Sequence, residues 1–103
     1  MARIALVTLV VADYDEALSF YVDKVGFQLI EDTLLSADKR WVVIAPQGAN
    51  TGTGLLLAVA DGATQRAAVG NQTGGRVGFF LHTDDFARDH ARMTAAGVEF
   101  LEA

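Results

Sequence analysis

The sequence predicts an α+β fold built from two consecutive βαβββ modules, of which the second is incomplete. Two observations lead to this prediction. Strand and helix patterns follow one another in the order βαβββ in the first half, and the second half begins by repeating the first. At 103 residues the chain is long enough for one compact core. We therefore expect a single domain over residues 1–103.

The first module is predicted over residues 3–60. Its opening strand is rich in Val, Ile and Thr, and Asp13 and Glu16 then form a capping box for an amphipathic helix that ends at Gly26. Three further strand patterns follow, separated by turn signals. The four predicted strands cover residues 3–11, 27–34, 40–45 and 54–60.

A linker is predicted between the two modules, over residues 61–75. This stretch is small, polar and contains Gly, with room for one helical turn around residues 65–69. The partial second module then covers residues 76–103.

An internal repeat supports the second module. Residues 79–86 repeat the pattern of residues 7–14, a strand that leads into an Asp-aromatic helix start, and residues 97–102 repeat the Gly-led strand of residues 26–31. Counterparts of the last two strands of the first module are expected to be missing. We expect the resulting unpaired sheet edge to associate or to be completed by another chain.

Composition narrows the classes of partner. The formal net charge is -5, which argues against nucleic acid and favours a neutral or cationic small ligand. The sequence has no Cys and so can form no disulfide, which makes a reducing cytoplasm the default expectation. The apolar run at residues 4–12 resembles the core of a secretory signal but suits a buried strand better, and it is too short to span a membrane. We expect a cytoplasmic protein with no membrane partner.

Four motifs point to a known family. They are ALSFY at residues 17–21, KRWVV at 39–43, GNQTGGRV at 70–77 and FLHTDDF at 80–86. Together with the paired modules, they resemble the vicinal-oxygen-chelate superfamily, which includes glyoxalases, bleomycin resistance proteins and extradiol dioxygenases. The resemblance covers the whole chain. It implies an eight-stranded sheet that curls around a cup for a small molecule, and it implies a homodimer, since strands from two chains often form the cup.

The resemblance also implies where a metal ion would bind. The two His positions of metal-using members fall on Leu6 and Gly78, which have no lone pair to offer a cation. The last strand of the first module, residues 55–59, has no carboxylate. We therefore expect no metal and no other cofactor.

Two strand faces carry candidate site residues. Alternation puts Leu6 and Thr8 on one face of the first strand, and Phe80 and His82 on the equivalent face of a fifth strand. In the family this face lines the cup. His82 would orient a ligand or act as an acid or base near neutral pH. The alternative for His82 is a structural role at the end of its strand.

Arg40 and Trp41 are the other candidates for ligand binding. Arg40 would hold a ligand anion and Trp41 would stack on an aromatic ring, but adjacent strand residues point to opposite faces. Only one of them can face the cup. The alternative has Trp41 in the core and Arg40 paired with a surface acid.

Three functions remain open at this stage. The leading hypothesis is a metal-independent protein that binds a small molecule. The second is an enzyme of the family, a lyase or dioxygenase that uses His82 or a metal site outside the usual positions. The third is a structural or regulatory module whose open edge recruits another chain.

Overall fold

A computed structural model describes residues 1–48 and 52–100. Four strands form one mixed sheet in the order β1-β4-β3-β2, with β1 and β4 parallel and the other two pairings antiparallel. The strands are β1 (Leu6–Val11), β2 (Gln28–Leu34), β3 (Arg40–Ala45) and β4 (Gly54–Val59). A helical connection follows β1, and the last three strands return beside one another. This arrangement is the predicted βαβββ module, and the α+β fold class is confirmed.

The connection after β1 changes its helical geometry halfway. It starts as an α-helix, α1 (Tyr14–Leu18), and continues as a π-helical segment (Ser19–Val25). The predicted N-cap is present, because the Asp13 carboxylate accepts a hydrogen bond from the Glu16 N–H at 2.8 Å. The segment ends at Gly26, which has a left-handed backbone with φ of 93°.

The core lies between this helical connection and one face of the sheet. Ile44, Leu57 and Val42 are the largest side chains that are fully buried. They pack with Ala17 of α1 and with Phe27, which follows the π-helical segment. Removing these side chains from water provides most of the driving force for folding the module.

The predicted linker contains a helix, α2 (Gly62–Ala68), which begins earlier than the helical turn expected from the sequence. A third helix, α3 (Phe86–Ala95), begins after Asp85, whose carboxylate accepts from the Arg88 N–H at 3.0 Å. The division of the chain into two modules and a linker stays a prediction. No helix in the described ranges is long and apolar enough to cross a membrane.

The predicted fifth strand does not form. Residues 77–83 have no regular secondary structure, and neither do residues 98–100 of the last predicted strand, the rest of which lies outside the described residues. A strand requires a hydrogen-bonded neighbour. At the free edge of β1, the side chain of Gln72 takes that place, accepting from the Val10 N–H at 2.8 Å and donating to the Thr8 carbonyl at 2.7 Å.

Candidate functional site

The sheet has a second face, directed away from α1 and the π-helical segment. The strand register places Thr8, Leu56, Val43 and Glu31 directly opposite one another across all four strands. Side chains that are paired in this way point to the same side of a sheet. These four residues therefore form one row, and we call the side of the sheet that carries them the open face.

Trp41 and Thr33 form the next pair on the open face. Trp41 is 36% exposed although its side chain is large and apolar. Beside it, the Thr33 hydroxyl donates a hydrogen bond of 2.9 Å to the Glu31 carboxylate. The open face therefore presents an aromatic ring and a carboxylate next to each other.

At the other side of the row, Leu6 and Val43 flank Gly54. A methyl group added at Gly54 would lie 3.3 Å from the side chains of both residues and 3.2 Å from the Ile44 carbonyl. Those contacts are tight, so the glycine lets the two apolar side chains close over the backbone. This end of the open face is aliphatic.

Arg40 lies on the opposite, helix-covered face. Its guanidinium makes two hydrogen bonds to Asp32, of 2.5 and 3.1 Å, and one of 2.9 Å to Asp15. The Tyr14 hydroxyl bonds both the N–H and the carbonyl of Arg40. Arg40 holds the pKa of the Asp32 carboxyl below its usual range, chiefly through the hydrogen bonds. Its position matches the alternative in which it pairs with surface acids.

His82 lies in another part of the molecule. It lines a cavity of about 710 Å³ between the end of the π-helical segment and α3, and this cavity also includes Pro46 and Arg92. Pro46 follows the end of β3, whereas Trp41 is near its beginning, about 16 Å away along an extended strand. Phe80 is 78% exposed. The expectation that both residues share a strand face with Thr8 is wrong, because their strand does not form.

Charged side chains surround the cavity that contains His82. Arg88 bonds Asp84 and Asp89 at 3.1 Å, and the Asp89 carboxylate also accepts from the Thr83 hydroxyl. The hydrogen bond from Arg88, and after it the one from Thr83, lowers the pKa of Asp89 to about 2. Next to this network, Arg92 donates to the Val25 carbonyl at 2.9 Å and so joins α3 to the π-helical segment.

The model of the Glyoxalase/Bleomycin resistance protein/Dioxygenase superfamily matches residues 3–103. The chain belongs to this superfamily. A relative from Shewanella frigidimarina, an uncharacterized protein, is 55% identical over 96 residues, which are 92% of this chain and 70% of the relative. The match extends across both halves of the sequence and agrees with the resemblance seen in its motifs.

Two solved structures share the fold of this chain. UcmS2 superposes with a TM-score of 0.80 at 27% identity, over 99% of this chain and 80% of UcmS2. TnmS3, described as an antibiotic-binding protein from Streptomyces sp. CB03234, superposes with a TM-score of 0.71 at 33% identity, over 96% of this chain and 74% of TnmS3.

The residues at the usual metal positions of the superfamily do not fit a metal ion. Leu6 points its alkyl side chain over Gly54, and Gly78 has no side chain. Neither supplies the nitrogen, oxygen or sulfur that a cation requires. In the described part of the chain, no three His, Asp or Glu side chains are grouped so that they would hold a metal ion.

The structure thus separates the six predicted site residues. Leu6, Thr8 and Trp41 share the open face, Arg40 lies on the other face, and His82 and Phe80 lie outside the sheet. Sequence reasoning missed Glu31, because the bulge between Leu29 and Glu31 in β2 changes the side of the sheet that its side chain faces.

Proposed function

We propose that this chain is a small-molecule binding protein whose ligand lies on the open face of the sheet and is bound without a metal ion. The observation that carries the proposal is the exposed Trp41 side chain on a face that combines aliphatic and polar side chains. Binding sites for small molecules are mostly apolar with a few polar groups that orient the ligand. TnmS3, at 33% identity, is described as antibiotic-binding, which supports a ligand of that kind.

A second copy of the chain completes the site in this proposal. One sheet of four strands provides a single surface for a ligand, whereas an enclosed pocket also requires side chains around the ligand. Large apolar side chains that such an association would cover are exposed, among them Val77, Phe80 and Phe86. Light scattering coupled to size exclusion tests this part, since the proposal requires a dimer at the concentrations at which ligand binds.

Calorimetry on the full chain tests ligand binding, with bleomycin and a panel of aromatic antibiotics as probes. Trp41→Ala is expected to weaken binding by at least about tenfold, because a ligand ring loses a large apolar contact. Phe20→Ala is the matched control, since Phe20 is 40% exposed but belongs to the segment that covers the opposite face. Equal losses in both variants, or no binding of any probe to the folded wild-type protein, would refute the proposal.

Metal independence is tested separately by elemental analysis. The protein is dialysed against excess Ni, Zn, Mn and Fe at neutral pH, then against buffer, and analysed by plasma mass spectrometry. We expect less than stoichiometric metal and unchanged ligand affinity after chelator treatment. Stoichiometric metal would overturn this part of the proposal.

An enzyme of the superfamily is the second candidate, and the cavity beside His82 favours it. His82 shares this cavity with Arg88 and Asp89, so a titratable side chain lies close to fixed charges. Turnover of the methylglyoxal-glutathione adduct or of a catechol, lost in His82→Ala, would favour the enzyme over the binding protein.

A further inference from the structure

We infer that the open face selects ligands that carry a positive charge beside an aromatic ring, and that Glu31 is the residue that recognises the charge. The inference rests on the proposed function and names the class of ligand. It replaces the expectation that Arg40 would hold a ligand anion, because Arg40 lies on the other face.

The position of Glu31 is fixed by the strand register. Glu31 is opposite Val43, and Thr33 is opposite Trp41, so Glu31 and Trp41 are diagonal neighbours on one face. Such neighbours are about 7 Å apart, within the reach of long and aromatic side chains. The hydrogen bond from Thr33 directs the Glu31 carboxylate along β2 toward the Trp41 pair.

The charge of Glu31 is not neutralised by a neighbour. Within the described residues, no Lys or Arg nitrogen lies within 4.0 Å of its carboxylate, whereas Asp32, the next residue, is paired with Arg40. Lys39 lies in the connection between β2 and β3, two residues before Trp41. Glu31 is opposite Val43, two residues after Trp41, so Lys39 and Glu31 are on opposite sides of Trp41 along the strand. The carboxylate therefore has acceptor positions available for a ligand.

Glu31 and Trp41 together define the chemistry of the ligand. A protonated amine, amidine or ring nitrogen would donate a hydrogen bond to the carboxylate, and a planar ring attached to it would stack on the indole. Two charged groups that meet on a half-exposed surface contribute modestly, so the carboxylate provides selectivity and the ring provides most of the affinity. The net charge of -5 adds a long-range attraction for the same class of ligand.

Three acridines of nearly the same shape test the inference. 9-Aminoacridine is a cation, acridine is neutral and acridine-9-carboxylate is an anion at pH 7.5. Binding to the full chain is measured by calorimetry and by quenching of Trp41, the one Trp in the sequence. We expect the order cation, neutral, anion, from the tightest to the weakest.

Two variants with the same change of charge make the test specific. Glu31→Gln keeps an oxygen that accepts a hydrogen bond from Thr33. We expect it to lower the affinity for the cation by about threefold to tenfold, while the affinity for acridine stays the same. Asp23→Asn, at an exposed position of the π-helical segment, should leave the ranking unchanged. Added salt should reduce the preference for the cation more in the wild-type protein and in Asp23→Asn than in Glu31→Gln.

The outcomes separate this inference from the proposed function. If acridine binds and depends on Trp41 but the cation binds no more tightly than acridine, or if Glu31→Gln leaves the ratio of the two affinities unchanged, the role of Glu31 is refuted and the binding site stands. If none of the three compounds binds the folded wild-type protein, both the inference and the aromatic site are overturned.

Discussion

Replacing Gly26 with Ala tests whether α3 is docked against the first module. Gly26 has φ of 93°, where a residue with a side chain loses about 1–2 kcal/mol. A methyl group there would also lie 2.1 Å from Nη1 of Arg92, so this guanidinium must move and abandon its bond to the Val25 carbonyl. That exposed bond contributes about 0.5–1.5 kcal/mol. We expect Gly26→Ala to lower the free energy of unfolding by about 1.5–3.5 kcal/mol.

A double-mutant cycle separates the two contributions. In an Arg92→Ala background there is no guanidinium to displace, so Gly26→Ala should cost only the backbone term of about 1–2 kcal/mol. Gly97→Ala is the matched control, because Gly97 also follows a helix, has φ of 98° and, among the described residues, has no other atom within 4 Å of an added methyl group. Its cost should be the same with and without Arg92.

Urea unfolding, followed by Trp41 fluorescence and by circular dichroism at the same time, measures these costs. Equal costs for Gly26→Ala in both backgrounds would show that Arg92 does not reach the end of the π-helical segment in solution. The docking of α3 described above would then be refuted. A cost below about 0.5 kcal/mol would instead refute the left-handed cap itself.

Two further predictions concern α3 and the edge of the sheet. Arg88 keeps the pKa of Asp89 at about 2, below the value near 3.9 in an unfolded chain, so the contribution of Asp89 to stability is complete above about pH 4 and is lost as the pH falls toward 2. Acid titration, followed by the helical circular dichroism signal, should show this loss of stability in the wild-type protein. Asp89→Asn should remove the contribution of this carboxyl to the pH dependence, and identical titration curves for the two proteins would contradict the prediction. Gln72→Ala uncovers the β1 edge and should increase self-association with concentration, whereas elution unchanged at every concentration on size exclusion would contradict the role of the side chain.

The local parts of the fold were predictable because their causes are local. The third strand was predicted over residues 40–45 and occupies that range, since a dense apolar run is bounded by turns on both sides. Asp13 and Gly26 start and end the helical connection for reasons that involve only their nearest neighbours. Where the pattern alone determines the structure, sequence reasoning was sufficient.

The prediction of a fifth strand was wrong because its alternating pattern specifies which side chains share a face but does not supply a neighbouring strand to hydrogen-bond with. Residues 77–83 carry the same alternation as β1, yet the edge of β1 that they would need is bonded by Gln72 at Thr8 and Val10. Alternation can be seen in one segment, whereas a strand forms only when two segments hydrogen-bond to each other. The predicted positions of Phe80 and His82 failed with the strand, since both depended on it.

Glu31 was missed for a different physical reason, a bulge in β2. Leu29 pairs with Ile44 on the helix-covered face, but Glu31, two residues later, pairs with Val43 on the open face. Strict alternation would put Leu29 and Glu31 on the same side, so reading β2 as a regular strand turns the Glu31 carboxylate away from Trp41. The extra residue Ile30 therefore lets Leu29 and Glu31 lie on opposite sides of the sheet while they pair with adjacent residues of β3. Deleting Ile30 would make Leu29 and Glu31 neighbours in a regular strand, still opposite Ile44 and Val43, so we expect the bulge to be lost and the carboxylate to stay on the open face.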